Sequence, residues 1–448
     1  MLSSRQLAFI ALGDVHKGAY TDVAIDRALH KGNLDERDRR FLTELVYGST
    51  RRQRTLDTII DQLGKKSAQQ QAKDLRTILH LGLYQLRYQE KIPASAAVNT
   101  TVQLAKDNGF KGLTGVVNGL LRQYIRLTEK TKEPLTLPDN PVERLGILHS
   151  FPDWIIEVWL EQFGFDATEK LCMWMNQTPA IDLRVNPLRS SLEEVEMALQ
   201  GKGIQYQRLP NLPQALRLIS SPGNIQNLPG FDAGWWTVQD SSAQLVGYLL
   251  NPQPEELIID VCAAPGGKTT HLAELMGDKG KIYAGDRTTS RLRRLQQNAQ
   301  RLGLKSIEIF TGDGRSLSQF DCIADRVLLD VPCSGLGTLN RHADARWRQT
   351  PTKVKELALL QQELITHAAT FVKPRGVMVY ATCTLHPAEN EDVIGKFLRS
   401  HPHWQIIESL TQDSSLATYA SPSGWIKVLP HQHNMDGFFM VRLRNAKN

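Results

Sequence analysis

From Pro254 onward, short apolar runs alternate with helical stretches: L-I-I-D-V, K-I-Y-A-G-D, I-E-I-F, R-V-L-L-D-V and V-M-V-Y-A-T-C follow one another in this way. Strands that alternate with crossover helices specify a doubly wound parallel sheet. The pattern accounts for less than half of a 448-residue chain, which is too long for one ordinary hydrophobic core. At least one further domain must precede it.

That preceding sequence has a different texture. From Gln6 to about Arg126 apolar residues recur at spacings of three and four, as in Leu75, Ile78, Leu79, Gly82, Leu83 and Leu86, which predicts an all-α bundle. Three prolines in the polar stretch T-K-E-P-L-T-L-P-D-N-P, between Lys130 and Pro141, cannot continue a helix and read as a linker. Residues 150 to about 175 look helical. Next, I-D-L-R-V-N, S-L-E-E-V-E-M-A-L-Q and I-Q-Y-Q-R-L read as strand, helix and strand of a small α+β module, before a Pro/Gly-rich stretch from Ser221 to Gly234. The expected domains are therefore 1–140 (helical), 145–235 (α+β) and 236–448 (α/β). Trp154, Trp235 and Trp236 are expected to pack between or inside them.

Charge separates the same regions. Residues 1–145 carry 23 Lys and Arg against 16 Asp and Glu, whereas the remainder holds 30 against 31. A basic excess confined to one segment fits contact with a polyanion. Two arginine clusters lie in it, Arg37, Arg39 and Arg40, then Arg51, Arg52 and Arg54; each reads as a binding surface or as a solvated helix face. No stretch reaches the roughly 18 apolar residues of a membrane helix, and the run Leu7 to Leu12 is too short for a secretory signal. A cytoplasmic protein is expected. The five cysteines are odd in number and never spaced C-x-x-C, which argues against both a disulfide framework and a zinc knuckle. No metal is expected.

In a doubly wound sheet ligands lie beyond the carboxyl ends of the strands, so the residues that close each strand carry the functional information. The first run closes in D-V-C-A-A-P-G-G-K-T, where Gly266 and Gly267 allow a close backbone approach at a helix N-terminus. The second closes in Asp286, placed to hold ribose hydroxyls, and the third is followed by Asp313, whose carboxylate suits an adenine amino group. The loop nearly satisfies a phosphate-binding motif at Gly267, Lys268 and Thr269, but its leading glycine is Cys262. A nucleotide hydrolase is thus the alternative enzyme, disfavoured because Asp286 would repel a triphosphate.

The fourth run closes in D-V-P-C-S-G and the fifth in A-T-C-T, which brings Cys333, Cys383 and Asp330 to one rim of the sheet. Cys172, Cys262 and Cys322 read instead as small buried hydrophobes. Two thiols, a carboxyl group and a nucleoside cofactor suit methylation of cytosine carbon 5. Attack of a thiolate on carbon 6 makes carbon 5 nucleophilic, and covalent catalysis divides one hard step into two. A carboxylic acid at ring nitrogen 3 stabilises charge pushed there, and a base must afterwards remove the carbon-5 proton. The thiolate needs a nearby positive charge; Lys268 and a cofactor sulfonium are candidates.

These motifs, together with R-Q-L-A-F-I-A-L, V-A-I-D-R-A-L, N-x-T-P, L-R-V-N-P, W-T-V-Q-D-S-S-A-Q-L, P-x-E-N-E and D-G-F-F-M-V-R-L, resemble the bacterial 16S rRNA cytosine-5 methyltransferases that carry a NusB-like helical domain (RsmB/Sun/Fmu type) over nearly the whole chain. The resemblance implies a Rossmann-like methyltransferase domain. It makes Cys383 the nucleophile and Cys333 the group that assists product release. It assigns S-adenosylmethionine to Ala263, Ala264, Pro265, Gly266, Gly267, Lys268, Thr269, Asp286, Asp313 and Asp330, with Asp330 also facing the cytosine. DNA enzymes resemble these but use the P-C cysteine, and the second, T-C cysteine selects the RNA arrangement. Val331 and Thr384 depart from the commoner Ala or Pro and Ser. The helical domain and the small module are implied to bind 16S rRNA, with the protein a monomer. A vestigial RNA-binding assembly factor is the alternative, opposed by the intact thiols and strand-end carboxylates.

Overall fold

The computed structural model describes residues 2–220, 222–407 and 416–447. Met1, Asn448 and Ser221, with which the Pro/Gly-rich stretch begins, lie outside them. Two compact units emerge: residues 1–177 with 339–348, and residues 178–338 with 349–448.

The first unit is helical, as its spacing predicts. Helix Lys73–Tyr88 buries Leu75, Ile78, Leu79, Gly82 and Leu83, and this stripe joins a core built with Leu7, Leu42, Leu56 and Leu121. The proline-bearing stretch has no helix between Thr128 and Pro141. It is nevertheless bound to the bundle: Leu135 is 7% exposed within the helical core, and Gln62 exchanges two hydrogen bonds with Thr136, of 2.8 and 3.1 Å. Helices Pro141–His149 and Asp153–Trp174 belong to the same compact unit.

The second unit contains two sheets. The smaller is antiparallel and comprises β1 (Ile181–Val185), β2 (Tyr206–Arg208), β3 (Ala215–Leu218) and β4 (Trp236–Val238), in the order β2-β3-β1-β4. It therefore extends past residue 235, because Trp236, fully buried, pairs with Val185. Its helix Leu192–Gly201 starts with a capping box, Ser191 Oγ accepting from Glu194 N and Glu194 Oε2 from Ser191 N.

The larger sheet holds the expected parallel strands β5 (Leu257–Asp260), β6 (Lys281–Asp286), β7 (Ile307–Thr311), β8 (Ala324–Asp330) and β9 (Val372–Thr382). Three antiparallel strands extend it: β10 (Trp404–Ile406), β11 (Ile426–Val428) and β12 (Phe438–Asn445). The order is β10-β12-β9-β8-β5-β6-β7, with β11 pairing β12. The sheet is thus mixed, a feature the strand–helix alternation does not encode. One expectation fails: Cys322 is exposed. It stands in the turn before β8 at φ 61°, outside the apolar run that would have buried it. Cys172 is buried and Cys262 half-buried.

Candidate active site

The parallel register brings the strand ends level. Asp260 pairs with Leu328 across β5 and β8, and Asp330 with Ala381 across β8 and β9. Thr269 Oγ1 donates to Asp260 Oδ2 at 2.7 Å, while Oδ1 of this buried carboxyl has no partner. Burial pushes the Asp260 pKa up to about 7, against the Thr269 bond and with the help of Asp330. Gly266 opens helix Gly267–Leu275 at φ 104°. A Cβ there would fall 2.3 Å from Leu295, so glycine is required, whereas a Cβ on Gly267 would have Gln239 as its nearest neighbour at 3.6 Å.

The remaining predicted cofactor residues surround this loop. Ala263 N donates to Gly285 O at 2.8 Å, and Ala264 O accepts from Arg291 at 2.9 Å; Pro265 follows a cis peptide. Asp286 closes β6 with Oδ1 accepting from Thr288 N at 2.8 Å and Oδ2 3.6 Å from Arg291. Asp313 is held by Arg315, at 2.8 and 3.0 Å; those bonds lower its pKa to about 2. A nucleoside fits here: the loop bends on an obligatory glycine, two alanines give an apolar lining, and carboxylates stand at the ends of β5 and β6, one with an unsatisfied oxygen.

The chemical groups converge beside this loop. Cys333 Sγ and Cys383 Sγ are 3.3 Å apart, and both residues are half-buried. The hydrogen bond with Cys383, then burial, then the charges of Cys383 and Glu389 hold the Cys333 pKa well above the ordinary thiol value. Lys268 donates to Asp330 Oδ2 at 2.6 Å. Burial works to lower the Lys268 pKa, but Asp330, Cys383 and Asp260 together raise it. Its ammonium also lies 4.9 Å from the Phe438 ring centroid. Because this lysine is committed to Asp330, it is not free to cradle phosphates, which removes the main support for nucleotide hydrolysis.

Sequence reasoning gave no role to the groups that hold the two cysteine loops. Glu389, fully buried, accepts from Ser334 N at 2.9 Å, from Ser334 Oγ, and from Gln361 at 3.1 Å. Burial raises its pKa against these bonds. Thr384 Oγ1 and Ser334 Oγ are 2.8 Å apart, Thr382 Oγ1 donates to Asn390 Oδ1 at 2.6 Å, and Asn390 Nδ2 to Thr384 O at 3.0 Å. Gly337 N donates to Cys383 O at 2.9 Å, and a Cβ on Gly337 would lie 2.0 Å from Gly437 O. The signal for Glu389 and Asn390 was the P-x-E-N-E motif itself, which begins four residues after the strand-end cysteine.

Comparison with known proteins places the chain as follows. Residues 247–444 match the family described as 16S rRNA methyltransferase RsmB/F. Residues 2–126 match the NusB family and residues 151–226 the ferredoxin-like domain of RsmF/B-like methyltransferases. The chain is 53% identical over 452 aligned positions, all of both chains, to "Probable ribosomal RNA small subunit methyltransferase B" of Synechocystis sp.. Among solved structures, PH0851 is 31% identical with a TM-score of 0.79, covering 98% of this chain and 97% of its own. NSun6 from Pyrococcus horikoshii, solved with SFG, is 25% identical with a TM-score of 0.60, covering 67% of this chain and 100% of its own.

Proposed function

The chain belongs to the 16S rRNA methyltransferase RsmB/F family, and from that premise we propose that it methylates carbon 5 of a specific cytosine in 16S rRNA through a covalent bond between Cys383 and ring carbon 6. The observation that carries this is the pair of sulfurs 3.3 Å apart next to the Lys268–Asp330 pair. S-adenosylmethionine, held by residues 263–269 with Asp286, Asp313 and Asp330, supplies when bound an electrophilic methyl group on a sulfonium.

The chain's own groups divide the remaining work. The hydrogen bond with Cys383 and burial favour the neutral Cys333 thiol, and the T-C position assigns the attack to Cys383, whose proton leaves to solvent before its sulfur bonds to carbon 6. The Lys268 ammonium, whose protonation is favoured by charge on Cys383, attracts that charge in return. Asp330 faces the pyrimidine and, with the Lys268 proton as its source, neutralises charge pushed to nitrogen 3. Once the Cys383 sulfur is bonded to carbon 6 it no longer bears charge. The largest cause of the raised Cys333 pKa then disappears, so Cys333 releases its proton to solvent and, as the thiolate, takes the carbon-5 proton while the bond between Cys383 and carbon 6 breaks and returns its electron pair to the Cys383 sulfur.

The helical domain and the small α+β module bind the rRNA, the Rossmann-like domain carries the chemistry, and the protein works as a cytoplasmic monomer where ribosomal subunits assemble. Among the described residues no helix is long and apolar enough to cross a membrane. Cys383→Ala is expected to abolish the carbon-5 methyl mark, read by bisulfite sequencing of rRNA, while calorimetric cofactor binding is kept. A fully active variant would refute the assignment.

A further inference from the structure

Cys333 is pinned on both sides by one helix and one turn of its own compact unit. Before it, Pro332 O accepts from Gln361 Nε2 at 2.9 Å; after it, Ser334 N donates to Glu389 Oε1 at 2.9 Å. The two supports are themselves joined, because Gln361 Nε2 also donates to Glu389 Oε1 at 3.1 Å. Gln361 stands on helix Pro351–Ala368 and Glu389 closes the turn Pro387–Glu389, and neither has any solvent exposure. That turn is tied to β9, whose end carries Cys383: Tyr380 Oη donates to Glu389 O and Thr382 Oγ1 to Asn390 Oδ1, each at 2.6 Å. Ser334 and Thr384, the residues that follow the two cysteines, meet at 2.8 Å between their hydroxyls, and Ser334 Oγ donates to Glu389 Oε2.

The donors fix the form of this carboxyl. Ser334 N and Gln361 Nε2 can only donate, and both meet Oε1 while the Ser334 hydroxyl meets Oε2, so Glu389 accepts throughout, as a carboxylate does. No Lys or Arg is among these partners. A buried charge without a counter-ion is unfavourable, and a neutral acceptor could hold the loop backbone equally well. What the charge adds is an effect on its neighbour: a second negative charge on Cys333, the residue before Ser334, is disfavoured beside it. The Cys383 hydrogen bond, burial and the Cys383 charge raise the Cys333 pKa, and the Glu389 charge raises it further. Among the described residues Tyr380 also faces Cys333, and burial keeps its hydroxyl neutral; Lys268, paired with Asp330, acts on Cys383.

We infer that Glu389, with Gln361 beside it, is the positioning residue of Cys333: it fixes that sulfur against Cys383 and makes an early thiolate there unfavourable. The chemical consequence rests on the proposed roles of the two thiols; the placement of Cys333 does not. Held neutral, Cys333 does not compete with Cys383 for carbon 6. Once ionised beside Glu389, it is the stronger base for the carbon-5 proton.

The test is alkylation of the full-length protein with iodoacetamide across pH, mapped by mass spectrometry, with exposed Cys322 as the internal reference; the thiolate is the form that reacts. In Glu389→Gln the alkylation midpoint of Cys333 is expected to move to lower pH, with labelling at neutral pH several-fold higher relative to Cys322. A role in packing alone would change the rate at every pH and leave the midpoint in place. Gln361→Leu keeps the charge and removes both amide bonds. It is expected to change Cys333 labelling several-fold without moving the midpoint, and to lower kcat by about 10²-fold, the effect of an ångström of misplacement, with the KM for cofactor unchanged. A midpoint that stays or rises in Glu389→Gln overturns the electrostatic effect, and unchanged labelling in Gln361→Leu overturns the positional one. Should neither variant fold, amide hydrogen exchange of the natural protein decides: a Ser334 N–H bonded to a buried carboxylate exchanges slowly, and fast exchange there overturns the inference. If Cys383→Ala proves active, the catalytic roles fail while alkylation still decides the placement of Cys333.

Discussion

Asp260 shows how far a single residue at the strand ends departs from its behaviour in water. Its carboxyl is raised from 3.8 to about 7, chiefly by burial, so the folded state holds a proton that the unfolded chain releases. A folded state that binds more protons loses stability as pH rises. The loss begins near pH 4 and levels off above about 7, and at 1.36 kcal/mol per unit it amounts to about 4 kcal/mol. Asp260→Asn cannot ionise, so the stability of the natural protein relative to this variant is expected to fall across that window in denaturant titrations; a constant difference would mean that Asp260 is ionised throughout. Legibility at this scale followed position. Asp330, Cys333 and Cys383 could be picked out because they stand where apolar runs end, and Asp286 and Asp313 by the same rule. Glu389 was marked by its motif but its role was not legible, because it acts by holding the Ser334 backbone 55 residues away, a long-range pairing without a periodic signature.

Among elements, the junction of the small sheet with helix Gly267–Leu275 is the most exacting. Arg184 on β1 is fully buried and forms a two-pronged pair with Glu274 of helix Gly267–Leu275, at 2.7 and 2.8 Å. It also donates to Gly267 O at 2.6 Å and Thr270 Oγ1 at 3.0 Å. Arg184→Met strands a buried carboxylate and is expected to cost about 3–5 kcal/mol, whereas adding Glu274→Leu should restore most of it. Urea unfolding of the single and double variants measures this; a harmless single variant would show that the pair is not what joins these elements. Strands β5 to β9 were legible because parallel strands buried on both faces are continuous apolar runs. β3 was not: its four residues are all buried, yet one is Arg217, paired with Asp182 at 2.7 and 2.8 Å, so no alternation survives. β4, β10 and β11 have three residues each, too few to carry a period.

On the scale of the whole molecule, the basic excess of residues 1–145 falls into two different settings. Arg37, Arg39 and Arg40 are exposed, consistent with a surface for phosphates. The second cluster is largely structural: Arg51 is 7% exposed, Arg54 donates to Phe151 O and Asp153, each at 2.6 Å, and Arg52 lies 4.6 Å from the Tyr88 ring centroid. Sequence spacing made the two clusters look alike, because a solvated arginine and one that binds carbonyls differ only in the packing around them. Replacing Arg37, Arg39 and Arg40 together by alanine is expected to lower the slope of log affinity for rRNA against log salt by up to about 2–3, at 0.7–0.9 per phosphate contact. An unchanged slope would clear this face of RNA contact. All of the proposed chemistry rests on which sulfur bonds to the pyrimidine and which one frees it. That is read most directly by incubating Cys333→Ala with rRNA and S-adenosylmethionine, then mapping any protein–RNA adduct that survives denaturation by mass spectrometry. A cytosine bonded to Cys383 is expected; an adduct on any other residue, or a Cys333→Ala enzyme that turns over normally and accumulates none, would contradict the division of labour between the two thiols.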